Sequence, residues 1–213
     1  MKRRALIIIL FILGIGVGFL SENPAIHQVN VSISHWLQTT QPRWFVNVNI
    51  TVIVFEYVMV ITLVPLLLYL FIKGKRKEAG LLLIAGLAWF VTRLLKSVFK
   101  LPCPMPPDVV FLYPFHLLSD LFHKATNGID VLDAPVCYPS GHSFTYVSYW
   151  GMIFFLKDTL WKNRWMRMGT AVLCGALIAL IGESLIAVGG HWFTDVIGGY
   201  AFGFAWLLLL TSS

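Results

Sequence analysis

Six apolar runs take up most of this chain: residues 5–20, 50–72, 79–99, 142–156, 169–188 and 193–210. A helix needs about 20 mostly apolar residues to cross a bilayer. Inside lipid every backbone N–H and C=O must find its partner within the protein, so runs of this length are expected to be helical. The fourth run is short and rich in aromatic residues, and its outer end is expected to draw on the loop before it. The first follows Lys2, Arg3 and Arg4, as a signal peptide would. No small-residue cleavage site comes after it, which predicts a retained anchor. The fold class is then all-α: a polytopic membrane protein with six transmembrane helices in a bundle.

Composition agrees. The chain is 58% hydrophobic and 12% charged, whereas soluble domains are about a quarter charged. That excludes an ordinary soluble globule and a disordered chain. The net charge of +6 does not point to nucleic acid, because the basic residues form short clusters between the apolar runs and no single stripe. The clusters instead set orientation. Lys2, Arg3 and Arg4 precede the first run. Lys73, Lys75, Arg76 and Lys77 separate the second from the third, and Lys157, Lys162, Arg164 and Arg167 the fourth from the fifth. Six crossings put all three clusters on one side, so both termini are expected in the cytoplasm, beneath a plasma (inner) membrane. The stretch 21–49 and the loop 100–138 then face outside. Residues 1–78 read as an N-terminal two-helix segment, and residues 79–213 as a four-helix core carrying the chemistry. The long loop is expected to hold a short helix or lid, with an interfacial helix over 111–122. The hydropathy shows neither paired repeats nor matched interrupted helices, which argues against a transporter.

Chemistry gathers at the outer helix ends. Pro139-Ser140-Gly141-His142 opens the fourth helix, where proline suits the first turn and free backbone N–H groups can meet an anion. His191 and Asp195, four residues apart, open the sixth on one helical face, where a carboxylate holds an imidazole in one tautomer. The third helix ends outside with Arg93, Lys96 and Lys100. Two helix N-termini, two histidines, one carboxylate and a basic helix end together make a phosphate site.

These residues resemble the type 2 phosphatidic acid phosphatase family, which also includes vanadium haloperoxidases and glucose-6-phosphatase. Its pattern is K-x6-R-P, then P-S-G-H, then S-R-x5-H-x3-D. The second motif is complete at Pro139–His142, the third aligns from Ser184 through His191 to Asp195, and the first aligns Lys96 with Cys103-Pro104. Cys103 and Leu185 stand where the family has arginines that clamp phosphate oxygens. The resemblance implies His191 as nucleophile, Asp195 as its orienting partner and His142 as acid and base. Lys96, Ser140 and Gly141 would bind the phosphate, with Lys100 and Arg93 as candidate substitutes for the arginines. No metal or other cofactor is implied. The substrate would be a membrane lipid phosphate or pyrophosphate, hydrolysed through a phosphohistidine. Two alternatives stand beside hydrolysis: transfer of a phosphoryl or headgroup-phosphate to an acceptor lipid, and an inactive relative that binds anionic lipid. The missing arginines favour a substrate with less charge on the phosphorus.

Glu56 and Glu183 are carboxylates within apolar runs, where such groups are costly and usually paired. Arg93 or a lysine is the expected partner. Cys174 falls in the fifth helix as a small core residue. Cys103 and Cys137 flank the first and second motifs in the outer loop, where an oxidising exterior would let them form a disulfide.

Overall fold

The computed structural model describes residues 2–105, 107–110, 112 and 136–212. The helix expected over 111–122 and most of the long loop lie outside these residues. Among the described residues the secondary structure is helical: α1 (Lys2–Ser21), α2 (Pro24–Thr40), α3 (Arg43–Val54), α4 (Glu56–Ile72), α5 (Arg76–Gly86), α6 (Ala88–Phe99), α7 (Gly141–Leu160), α8 (Arg164–Ala187) and α9 (Phe193–Leu210). The second apolar run thus begins earlier than expected, at Arg43, and breaks at Phe55. The third is interrupted at Leu87. Five stretches are long and apolar enough to cross a membrane: Lys2–Ser21, Arg43–Ile72, Arg76–Phe99, Arg164–Ala187 and Phe193–Leu210. This is an integral membrane protein.

The fourth run behaves differently. As α7 it is 20 residues long but outside the apolar set. It packs against α4, α5, α6, α8 and α9, and every residue from 143 to 153 is buried. Its surroundings are protein, so its polar groups find partners there. Ser148 Oγ donates to Ala85 O at 3.0 Å, the Tyr149 hydroxyl lies 2.7 Å from Thr62 Oγ1, and Tyr146 donates to Val52 O. A helix enclosed in this way needs no lipid-facing apolar surface, which is why its hydropathy is low.

The stretch 21–49 is also helical where the sequence suggested only an outer connection. Asn23 caps α2, accepting from Ala25 N at 2.9 Å, and Pro24 sits in the first turn. One stripe of α2, Asn30, Ser34 and Leu37, is buried against the bundle.

Tight packing where the chain enters α7 depends on glycine. α9 lies along α1 and α7. A Cβ on Gly199 would stand 2.6 Å from the carbonyl oxygen of Ser140, and one on Gly198 would meet the Tyr138 ring. Tyr138, fully buried, packs edge-on against Phe99 of α6 at 4.9 Å and donates its hydroxyl to Gly14 O of α1. The chain entering α7 is therefore wedged between α1, α6 and α9, and its Tyr138–Pro139 peptide is cis.

Gly199→Ala is expected to push the Ser140 carbonyl away, lowering stability by about 1–3 kcal/mol. Gly169→Ala, where a Cβ meets nothing within 4 Å, should be neutral or stabilising by about 0.5–1 kcal/mol. Thermal melts in detergent compare the two, and equal effects would count against the packing account.

Candidate active site

Two turns build the site. The first follows α8, where Gly189 adopts a left-handed backbone (φ 80°) that a side chain would strain. Gly190 N and His191 N then both donate to Leu185 O, at 2.9 and 3.3 Å. This reversal sets His191 over the end of α8, just before α9. The second turn is Pro139-Ser140, where Ser140 caps α7 and its Oγ accepts from Ser143 N at 3.3 Å. The turns are joined directly: Ser140 N donates to the backbone oxygen of Asp195 at 2.9 Å.

His191 and Asp195 are both buried, with His191 Nδ1 3.3 Å from Asp195 Oδ2. The same oxygen accepts from Trp192 N at 3.0 Å. A carboxylate only accepts, so the His191 proton resides on Nδ1 and leaves Nε2 its lone pair. Burial pushes the His191 pKa down from 6.5 to about 4, with Asp195 opposing the shift and the nearby Lys96 and His142 adding to it. A neutral imidazole with an available nitrogen is what a nucleophile requires. The His142 ring lies 6.0 Å from the His191 ring, centre to centre.

Lys96, half-buried on α6, donates to Val136 O at 2.8 Å, and its charge acts on Asp195 and on both histidines. The other two cations of that helix end point elsewhere. Arg93 is exposed and stacks 4.3 Å above the Trp89 ring. Lys100 is exposed beyond the end of α6, in a left-handed conformation. Ser140 is fully buried, with its N–H and Oγ engaged in joining and capping the turn. A Cβ on Gly141 would meet only Thr92 Oγ1, at an ordinary 3.7 Å.

The two arginine positions have other uses. Cys103 is disulfide-bonded to Cys137 beside a short antiparallel pairing of Pro102 with Val136. Leu185 is fully buried in the core. The Cys137 sulphur, His191 and Asp195 lie within 4.8 Å of one another, as metal ligands would. A disulfide sulphur is no thiolate, however, so two ligands remain.

Two contributors carried no motif. Asn30 of α2, buried, donates to Thr194 Oγ1 at 3.0 Å and accepts from Thr194 N at 3.2 Å, bracing the first turn of α9. Glu56, expected to pair with Arg93 or a lysine, instead lies 3.0 Å from His142 Nε2. Arg93 is occupied on Trp89, and the break at Phe55 starts α4 at Glu56, facing α7. Glu183 likewise takes no described cation: it accepts from Gln41, whose Oε1 accepts from Asn49 at 2.8 Å. A carboxylate in an apolar run signalled that a partner was needed, but not which one.

Residues 77–213 match the family model of the PAP2 superfamily. The chain belongs to that superfamily. A solved structure, the "first transmembrane PAP2 type phosphatidylglycerolphosphate phosphatase from Bacillus subtilis", superposes with a TM-score of 0.74 over 96% of this chain and 94% of that one, at 20% identity. At that identity the likeness is one of fold. No curated protein matches the chain. Lys96, His142, His191 and Asp195 all fall within the PAP2 segment, whereas Asn30 and Glu56 precede it.

Folded His191 titrates below the unfolded value, so the folded state binds fewer protons between about pH 6.5 and 4. Stability is therefore complete above pH 6.5 and falls as the pH drops towards 4, by an amount on the order of 3 kcal/mol. Melting temperatures against pH should show a shallower acid decline in His191→Ala than in wild type; parallel declines would contradict the burial argument.

Proposed function

We propose that this PAP2 protein is a lipid phosphatase that hydrolyses a lipid-linked phosphate or pyrophosphate through a phosphohistidine on His191. The observation that carries the reading is the buried His191–Asp195 pair, with Nε2 available and His142 opposite. Nε2 attacks phosphorus while the bond to the lipid oxygen breaks, and His142 gives that oxygen its proton. His142 then takes a proton from water, the hydroxide attacks phosphorus, and the N–P bond breaks to release phosphate and restore His191. Lys96 and the backbone N–H groups at the start of α7 offset the charge on the phosphoryl oxygens.

Six crossings are proposed, with α7 as the enclosed one, both termini in the cytoplasm and the site on the outer face of a plasma membrane. The Cys103–Cys137 disulfide supports that placement, because such bonds persist in oxidising compartments. Residues 79–213 carry the catalytic groups and residues 1–78 brace them.

Transfer to an acceptor lipid is the second reading, favoured by one observation. The arginine positions hold a disulfide cysteine and a core leucine, leaving Lys96 as the motif cation. A phosphodiester, with less charge than a monoester, suits that balance.

Purified protein in detergent, given lipid monoesters and pyrophosphates including phosphatidylglycerolphosphate, is expected to release phosphate. His191→Ala should lower the rate at least about a thousandfold. A new lipid formed only when an acceptor is added would establish transfer instead. Neither product from wild type would leave an anionic-lipid-binding protein.

A further inference from the structure

The contact that the motif chemistry does not use is the one between Glu56 and His142. Three features make it a built feature and no chance approach. First, a carboxylate within an apolar run is costly, so its retention needs a partner. Second, the chain breaks between α3 and α4 at Phe55, which makes Glu56 the first residue of α4 and turns it towards α7. Third, the pair is held from both sides. Tyr146, one turn beyond His142 on α7 and fully buried, donates its hydroxyl to Val52 O, three residues before the break at Phe55. That bond fixes α7 against the α3–α4 junction, with Glu56 Oε2 3.0 Å from His142 Nε2. Both side chains keep partial access, 33% and 29% exposed, so the pair borders the site and is not sealed in the core.

We propose that Glu56 is a positioning residue for His142, holding the Nε2 proton so that Nδ1 is the atom that exchanges protons with the leaving oxygen and with water. The inference rests on the phosphatase reading. Its logic is that of His191 with the nitrogens exchanged. Asp195 engages Nδ1 of the nucleophile and frees Nε2; Glu56 engages Nε2 of the acid–base and frees Nδ1. When His142 is charged, Nδ1–H protonates the leaving lipid oxygen as the P–O bond breaks. When it is neutral, the Nδ1 lone pair accepts a proton from water as the hydroxide attacks phosphorus. The hydrogen bond from Nε2–H to Glu56 is kept throughout. The charged and titratable groups around the ring are Glu56 from α4, Lys96 from α6 and the His191–Asp195 pair at the start of α9. Of these, Glu56 alone contacts the ring as an anion. It comes from outside the PAP2 segment, so this chain supplies the acid–base support from its N-terminal helices.

The test compares wild type with Glu56→Gln, Glu56→Asp and Glu56→Leu in the full-length protein in detergent. Nitrogen NMR of labelled histidine reads the tautomer of His142 without any substrate. Wild type should carry the neutral-ring proton on Nε2, and Glu56→Leu should lose that preference. In the phosphate-release assay, Glu56→Gln keeps a hydrogen-bond acceptor for Nε2–H and should retain more activity than Glu56→Leu. Glu56→Leu should fall about tenfold or more, and Glu56→Asp should recover part of the loss. An unchanged tautomer in Glu56→Leu, or a Glu56→Leu rate equal to that of wild type, overturns the proposal. Should wild type release no phosphate while the tautomer shift is seen, the phosphatase reading fails and the positioning contact stands.

Discussion

The two histidines face each other because the start of α7 lies directly against the first turn of α9, with no side chain between them. Ser140 N donates to the Asp195 backbone oxygen across that contact. Gly199 is the residue that permits it, since even a methyl group there would overlap the Ser140 carbonyl. The groups of the proposed site all hang from this junction. Asp195 turns His191 from one side, the capped α7 carries His142 on the other, and Lys96 closes the third through Val136. The disulfide adjoining Val136 ties the same segment to the end of α6.

Around that junction the fold supplies what lipid would deny. α7 is rich in hydroxyls and aromatic groups, and it is stable within a membrane because five other helices surround it. The same enclosure sets the electrostatics. Burial outweighs the Asp195 carboxylate and holds the His191 pKa down, which suits attack on phosphorus. The two imidazoles, with ring centres 6.0 Å apart, are each held by a carboxylate, His191 by Asp195 and His142 by Glu56.

Much of this was legible in the sequence, and the remainder was not for identifiable reasons. Apolar runs marked the membrane helices because lipid demands length and hydropathy together. α7 met only the first demand, since protein and not lipid covers it. Four-residue spacing suggested one helical face for His191 and Asp195, but His191 lies in the turn before α9, where the Asp195 carboxylate that accepts from Trp192 N also reaches it. The motif singled out Lys96, but spacing could not show whether Arg93 or Lys100 reaches the site; both are exposed, and Arg93 stacks on Trp89. Asn23-Pro24 was a readable start for α2, hidden by the low hydropathy of the stretch that follows. The pairing of Glu56 with His142 and of Asn30 with Thr194 spans too much chain for any local rule. Such contacts are fixed by how the helices pack, and a single sequence carries no record of that.

The central claim is that His191 forms a bond to phosphorus. It is tested most directly by trapping that bond. A lipid substrate carrying radiolabelled phosphate is mixed with the wild-type protein, and the reaction is quenched in alkali within the first turnover and mapped by peptide mass spectrometry. The account predicts label on the peptide containing His191, stable in alkali, lost in acid and absent when His191 is replaced. Label on another residue, or product formed with no adduct on His191, would contradict it.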